Sequence, residues 1–123
     1  MTASSNRIGR IGEHLATRYL EDLGYRILDR NWRAAVDAVR GELDIVAQDG
    51  RTLVFCEVKS RRRTPFDDAF AAVTWSKQRQ LRRLAALYLS REQGGVDVRF
   101  DVIAVAWPAA GGAAAVDHIR GAF

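Results

Sequence analysis

Apolar residues recur every three or four positions over residues 7–23, a spacing that predicts an amphipathic helix. Ser5 or Asn6 is placed to cap its start, and Gly24 is placed to end it. Two glycines interrupt the pattern, Gly9 and Gly12. Each costs about 1 kcal/mol relative to alanine inside a helix, so we expect another stretch of backbone to pass close by.

Three strands are predicted next, over residues 25–32, 42–48 and 51–60. Residues 33–40 have no clear period and are predicted to form a loop that Gly41 ends. Asp49-Gly50, between the second and third strands, is a strong signal for a two-residue turn. The second and third strands should therefore pair as an antiparallel hairpin.

The second half of the chain predicts one more helix and one more strand. Thr64-Pro65 ends the third strand, and residues 66–73 are expected to form a short helical turn. Thr74 or Ser76 can cap a helix that runs to about residue 93.

Gly94-Gly95 is expected to close that helix, and residues 98–107 alternate and are rich enough in valine to form a buried strand. A strand, a helical crossover and another strand imply a parallel, right-handed connection. Residues 108–115, rich in alanine and glycine, should be a flexible excursion. Residues 116–123 are expected to form a last strand or a docked tail.

These elements predict one domain over residues 1–123, an α/β sandwich around a mixed sheet with the order α-β-β-β-α-β. The 123 residues, 48% of them hydrophobic, have room for a single core. No apolar run approaches the ~18 residues of a membrane span, and no signal-peptide block follows Arg10, so we expect a cytoplasmic protein. Cys56 is the only cysteine, which excludes an internal disulfide and makes it a small core residue.

Positive charge is concentrated in one stretch, from Lys59 to Arg83. It contains eight basic and two acidic residues, a local net charge of +6 in a chain of +4, so the remainder carries −2. This concentration favours a phosphate-binding surface, and the alternative is a solvated helix face. The residues expected to contact backbone phosphates are Arg61, Arg62, Arg63, Arg79 and Arg82.

The predicted hairpin also predicts which side chains meet. With the two-residue turn given above, the numbers of facing residues sum to 99, so Asp44 faces Phe55. Because side chains alternate, Asp44 shares a face with Glu57 and Lys59 and lies diagonal to Glu57, about 7–8 Å away. Glu42 is expected on that face too, directly opposite Glu57.

Carboxylates held so close together repel one another unless a cation is present. Mg²⁺, or Mn²⁺ in its place, suits a cluster of oxygen ligands. Asp44 and Glu57, with the Val58 carbonyl, would hold the metal, and Lys59 would orient the attacking water or meet the developing charge. Glu13 either reaches the metal through a water or is an exposed helix acid. The alternative for the whole motif is that Lys59 simply neutralises Glu57.

Other chemically capable residues have weaker arguments. Asp101 lies in a predicted core strand, where it supports the basic cluster or caps a strand interaction. His14 and His118 have no ligand partner at a useful spacing and are expected to be structural or exposed. Three tryptophans either stack on bases or belong to the core and its rim: Trp32, Trp75 and Trp107.

Four segments, in this order, closely resemble the YraN-type family of small bacterial proteins. They are GRIGEHLA (residues 9–16), GELDIVA (41–47), VFCEVKSR (54–61) and RFDVIAV (99–105). The resemblance covers nearly the whole chain, from Gly9 to about Trp107, and the ending from His118 to Phe123 is also similar.

The resemblance implies a PD-(D/E)XK nuclease fold, a restriction-endonuclease-like sandwich near the archaeal Holliday junction resolvases. It makes Asp44 the motif aspartate, Glu57-x-Lys59 the (D/E)XK pair and Glu13 the helix acid. Lys77 or Gln78 is then the polar group on the following helix. One departure is that a leucine, not a proline, precedes Asp44.

The first functional hypothesis is a Mg²⁺- or Mn²⁺-dependent endonuclease that cleaves structured DNA, such as branched or nicked molecules. Nucleic acid, with DNA as the first expectation, is the expected partner. A second hypothesis is a nucleic-acid-binding module that keeps the fold with little or no turnover. A third is an interaction protein whose basic face meets an acidic partner. Symmetric cleavage of a junction would require a homodimer, but no residue pattern marks an interface.

Overall fold

The computed structural model describes residues 2–62, 73–90, 95–108 and 110–123. In these ranges the elements are α1 (Thr2–Asp22), β1 (Arg26–Val36), β2 (Val39–Asp49), β3 (Thr52–Arg62), α2 (Trp75–Leu89), β4 (Asp97–Trp107) and β5 (Ala115–Ile119). The strands form one sheet in the order β1-β2-β3-β4-β5, parallel between β3 and β4 and antiparallel elsewhere. The predicted α/β fold with a mixed sheet is confirmed, with one strand added at the end of the predicted order.

The two helices cover opposite faces of this sheet. On one face, Leu84 of α2 belongs to a buried cluster with Phe55 of β3. On the other face, Leu20 of α1 belongs to a second cluster with Val54, the neighbour of Phe55. Successive strand residues thus supply both layers of apolar contact, as the pleat requires. Within the described ranges, neither helix combines the length and the apolar character that a membrane crossing needs.

Helix α1 ends as the sequence predicts and begins earlier. Gly24 has a φ of +93°. The Gly24 N–H donates to the Glu21 carbonyl and the Tyr25 N–H to the Leu20 carbonyl, both at 2.9 Å, the arrangement of a Schellman cap. The predicted cap at Ser5 or Asn6 is wrong because the helix starts at Thr2. The first turn has too few apolar residues for periodicity to reveal it.

Gly12 explains why α1 lies close to β3. A Cβ atom at Gly12 would overlap Oγ and Cβ of Ser60, whereas a Cβ at Gly9 would meet nothing within 4 Å. The predicted close approach therefore occurs at Gly12 alone, and the neighbouring atoms belong to a side chain rather than to backbone.

This difference predicts opposite effects for the same substitution at the two glycines. Gly9→Ala should stabilise the protein by about 0.5–1 kcal/mol through helix propensity. Gly12→Ala should destabilise it by about 1–3 kcal/mol because the helix and β3 must move apart. Urea unfolding of both variants measures the two changes, and equal stabilisation by both would show that α1 does not rest on Ser60.

The predicted loop over residues 33–40 is wrong. Strand β1 continues to Val36, the chain turns at Asp37 and Ala38, and β2 begins at Val39. Asp37 has a φ of +53°, a conformation that aspartate tolerates in tight turns. Backbone pairing extends this hairpin beyond the point at which side-chain alternation ends, so the pattern alone missed it. Gly41 lies inside β2, where a Cβ would contact the Leu84 side chain of α2.

The hairpin of β2 and β3 is confirmed, but its register differs by one residue. Asp49 pairs with Thr52 and Ile45 with Cys56, so the turn is Gly50-Arg51 rather than Asp49-Gly50. Facing numbers therefore sum to 101 instead of 99. Each residue keeps its face because its partner changes by two positions.

The second half follows the prediction with shifted ends. Thr74 caps α2, with its Oγ1 accepting the Lys77 N–H at 3.2 Å, but the helix ends at Leu89 rather than near residue 93. The break at 64–65 and the predicted turn, except for its last residue Val73, lie outside the described residues.

The final segment forms both of the predicted alternatives, a strand and a docked tail. Strand β5 pairs with β4. Beyond it, the Ala122 N–H donates to the Phe100 carbonyl at 2.8 Å, and Phe123 stacks on the Phe100 ring with centroids 5.2 Å apart.

Candidate functional site

Asp44 and Glu57 come together where β2 and β3 run past the end of their regular ladder. Extending the observed register by one pair places Asp44 directly opposite Glu57, not diagonal to it and not opposite Phe55. Asp44 Oδ2 accepts the Val58 N–H at 2.9 Å, and Glu57 is only 4% exposed. The expectation that Glu42 faces Glu57 is therefore wrong.

The environment of Asp44 opposes its ionisation. Burial, followed by the negative charge of Glu57, raises the pKa of Asp44 from 3.8 to about 8. The Val58 N–H counteracts this only in part, and a hydrogen bond between the Asp44 and Glu57 side chains adds to the increase. Asp44 is therefore mostly protonated at neutral pH. A cation bound beside Asp44 and Glu57 would relieve the repulsion between the two carboxylates and favour ionised Asp44.

Glu57 lies between two ammonium groups. The Nζ atoms of Lys59 and Lys77 are 3.5 Å and 3.6 Å from Glu57 Oε2. Lys59 follows on the same strand, and Lys77 comes from the first turns of α2. The ion pair that the sequence offered as an alternative is thus present, with a second lysine that the hairpin geometry had not placed there.

Glu13 and Glu42 complete the cluster from the other side. Among the described residues, carboxylate oxygens of Glu13, Glu42 and Asp44 all lie within 4.8 Å of one another. Ligands on opposite sides of a Mg²⁺ ion are about 4.2 Å apart, so small side-chain rotations would bring these oxygens onto one ion. Glu13 is therefore near enough for a direct role as well as for the predicted water-mediated one.

Asn31, which was not among the predicted site residues, holds Glu13 and Glu42 together. Its Nδ2 donates to Glu13 Oε1 at 2.8 Å and to Glu42 Oε1 at 2.6 Å. Glu42 also pairs with Arg33 at 3.1 Å. Asparagine is depleted in strands but tolerates a positive φ, and Asn31 has a φ of +52°. An asparagine inside a predicted strand with charged neighbours was the sequence feature that could have marked Asn31 as a site residue.

The alternation of side chains between the two faces of the sheet is interrupted in β1 and β2 near Asn31 and Asp44. Leu43 and Val46 both belong to the cluster beneath α2, although strict alternation would separate residues three positions apart. On β1, Trp32 packs against that cluster and Asp29 accepts a hydrogen bond from Tyr88 of α2, again three positions apart. Asn31 lies between them. The change lets Asp44 reach both Glu57, which pairs with a lysine of α2, and Glu13 of α1.

The described members of the predicted phosphate-contacting set lie on β3 and α2, the elements that carry Lys59 and Lys77. Arg62 is exposed at the end of β3, and Arg63 lies outside the described residues. Arg61 is half-buried and has interactions of its own. On α2, Gln78 donates to the Val73 carbonyl at 3.1 Å. Arg79 lies over the Trp75 ring, and Arg82 lies over the rings of Phe100 and Phe123.

Asp101 belongs to a separate buried network. It is completely buried and accepts hydrogen bonds from Arg99 at 2.9 Å and from the Gly121 N–H at 3.0 Å, and its Oδ2 lies 2.7 Å from His118 Nε2. Of the two expectations for Asp101, the strand interaction is the one its partners support. His118 is structural, His14 is exposed, and Cys56 is buried in the core as expected.

Fold and site together define a class of protein: a small α/β sandwich with four carboxylates and two lysines gathered across two strands and two helices. The chain matches, over residues 12–105, the protein-family model described as "Uncharacterised protein family UPF0102". It therefore belongs to the UPF0102 (YraN) family, which confirms the resemblance found in the sequence.

Relatives match along nearly their whole length. A UPF0102 protein of Frankia casuarinae is 47% identical over 121 residues, covering 98% of each chain. One from Streptomyces griseus is 46% identical over 116 residues, covering 93% of each. One from Moorella thermoacetica is 45% identical over 124 residues and covers both chains completely.

Proposed function

We propose that this protein is a divalent-metal-dependent nuclease that cleaves phosphodiesters in structured DNA. The observation that carries the proposal is the position of Asp44. Its carboxyl group is hydrogen-bonded to that of Glu57 and lies within 4.8 Å of the carboxylates of Glu13 and Glu42.

The donor set fits a hard divalent cation. All the side-chain ligands are carboxylate oxygens, which Mg²⁺ and Mn²⁺ prefer, and the only cysteine is in the core. Burial and the charge of Glu57 raise the pKa of Asp44, and a bound cation would favour its ionised form. Asp44 and Glu57, with the Val58 carbonyl, would hold the ion, and Glu13 and Glu42 would complete its surroundings.

A bound divalent ion would supply Lewis-acid stabilisation of the phosphate and a more acidic water. The lysines would act directly on the substrate. Lys59 and Lys77 both lie near Glu57. In our proposal, one of them orients the attacking water and the other meets the charge that develops on the phosphate. Asn31 would be a positioning residue, since it fixes Glu13 against Glu42.

Nucleic acid is the proposed partner because the basic stretch borders this acidic cluster. Arg61 and Arg62 follow Lys59 along β3, and Lys77 shares α2 with Arg79 and Arg82. These side chains would contact the phosphate backbone and set the position of the substrate without reading its sequence.

One observation favours a second candidate, a nucleic-acid-binding module without turnover. Two lysines already compensate the charge of Glu57. Such a module would bind DNA or RNA in a salt-sensitive way and would retain that binding in a Lys59→Ala protein. Metal-dependent cleavage is the property that separates the two candidates.

Calorimetric titration with Mn²⁺ tests the proposal before any substrate is known. Wild-type protein should bind Mn²⁺, and Asp44→Asn should weaken that binding by about 10-fold or more because a charged ligand becomes a neutral amide. The matched control is Asp117→Asn, a change of the same chemistry at an exposed residue of β5. If the wild type takes up no Mn²⁺, or if both variants bind it equally, the metal site is excluded.

A further inference from the structure

The three tryptophans, for which the sequence predicted either base stacking or a place in the core, have different environments in the structure. Trp32 packs edge-on against Tyr88, with ring centroids 5.3 Å apart, and Trp107 packs against the core beneath α1. Trp75, the first residue of α2, is 71% exposed. An exposed tryptophan of this kind contributes almost nothing to the core and offers a large aromatic surface to a ligand.

The surroundings of Trp75 suit a nucleotide. Trp75, Gln78, Arg79 and Arg82 line a depression of about 440 Å³ on the surface of α2. The guanidinium of Arg79 lies 5.4 Å from the centroid of the Trp75 ring, a cation–π distance. Aromatic surface and positive charge side by side match the two parts of a nucleotide, the base and the phosphate.

This depression lies on the helix that also carries Lys77 of the proposed reaction site. Lys77, two residues after Trp75, reaches Glu57 with its Nζ atom 3.6 Å from the carboxylate. Side chains two positions apart point about 200° apart around a helix, so a strand whose phosphate lies at Glu57 would reach Trp75 by crossing the N-terminal end of α2. The first turn of α2 would then present Lys77 to the reacting phosphate and Trp75 to a base further along the strand.

We propose that Trp75 is a stacking platform for an unpaired base, with Arg79 and Arg82 contacting the phosphates beside it. The proposal rests on the proposed nuclease function and deepens it by naming the substrate class: DNA with unpaired nucleotides on the same strand as the cleaved bond. A base inside a duplex is already stacked on its neighbours, so only an unpaired base offers a free face to an indole. Stacking does not distinguish among bases, so no sequence preference is expected from it.

Binding measured in EDTA tests this without any cleavage. Labelled single-stranded DNA and a blunt duplex of the same sequence are titrated with wild type, Trp75→Ala and Trp75→Phe, with fluorescence anisotropy as the signal. Trp75→Ala should weaken single-strand binding by about 10-fold and leave duplex binding nearly unchanged. Trp75→Phe keeps an aromatic face and should restore most of the loss.

The control is Leu23→Ala, which removes a side chain that is also exposed, at the end of α1. It should leave both affinities unchanged, and equal melting temperatures should show that all variants are folded. Equal single-strand affinity for wild type and Trp75→Ala, or no wild-type binding at all, overturns the stacking proposal. Failure of the nuclease proposal is seen separately, as the absence of Mn²⁺ binding in the calorimeter.

Discussion

The metal-dependent cleavage rate of an Asp44→Asn protein should be at least about 100-fold lower than that of the wild type. Lewis-acid stabilisation lowers the activation free energy by several kcal/mol, and each ~1.4 kcal/mol changes the rate tenfold. Asp44 lies close both to Glu57 and to the pair Glu13 and Glu42. Its replacement therefore removes a ligand from the centre of the cluster. Initial rates on branched, nicked and single-strand-containing DNA, with Mg²⁺, with Mn²⁺ and with EDTA, measure the effect.

The loss of activity should not come from loss of the fold. An asparagine oxygen at position 44 can still accept the Val58 N–H. Because the pKa of Asp44 is raised to about 8 in the folded protein, the unfolded chain gives up this proton at lower pH, and stability falls as the pH rises from about 4 to 8. In EDTA at neutral pH, Asp44→Asn should therefore be at least as stable as the wild type.

The control for cleavage is again Asp117→Asn, which should retain the wild-type rate. An Asp44→Asn protein that cleaves as fast as the control would contradict the proposed role of this carboxylate. A wild type that binds Mn²⁺ and DNA but cleaves nothing on the panel would instead favour the binding module, since the ion and the partner would be present without the reaction.

The proximity of Asp44 and Glu57 could be predicted from sequence because it requires only that both side chains lie on the same face of the hairpin. The predicted turn was displaced by one residue, but any such displacement changes a facing partner by two positions and preserves the face. Asp44 and Glu57 were therefore expected together for a sound reason, although the expected pairing with Phe55 was wrong.

The outer half of the cluster could not be predicted in the same way. It depends on the reversal of facing around Asn31, and alternation arguments assume that no reversal occurs. The displaced turn placed Glu42 opposite Glu57, and the end of side-chain alternation placed the end of β1 too early. Glu13 reaches the strands because α1 packs against the sheet. The local sequence does not determine which residues of a helix will lie beside which residues of a sheet.

The largest effect on stability is expected from Asp101→Asn, at about 3 kcal/mol of unfolding free energy at neutral pH. Asp101 is completely buried and holds Arg99, His118 and the Gly121 N–H around one carboxylate. The network ties β5 and the chain end to β4. An amide in this place removes the buried charged partner of Arg99, which then keeps its pair with the more exposed Asp49. It also presents a donor where only acceptors are needed.

The effect should depend on pH in a defined direction. Burial alone would raise the pKa of Asp101, but hydrogen bonds from Arg99, Gly121 and His118 outweigh it and lower the pKa below its usual value. Unfolded aspartate titrates near pH 3.9. The stabilisation is therefore complete above about pH 4 and is lost as the pH falls through the folded pKa. The buried thiol of Cys56, whose pKa burial raises, stays neutral throughout this range.

Urea unfolding at pH 7, pH 5 and pH 3.5 measures the difference between wild type and Asp101→Asn at each pH. The control is Asp97→Asn, an exposed residue at the start of the same strand, which should change stability by less than about 0.5 kcal/mol. A gap between wild type and Asp101→Asn that is wide at pH 7 and pH 5 and narrower at pH 3.5 supports the ionised network. A gap that stays constant down to pH 3.5 would mean that packing, rather than charge, holds the chain end in place.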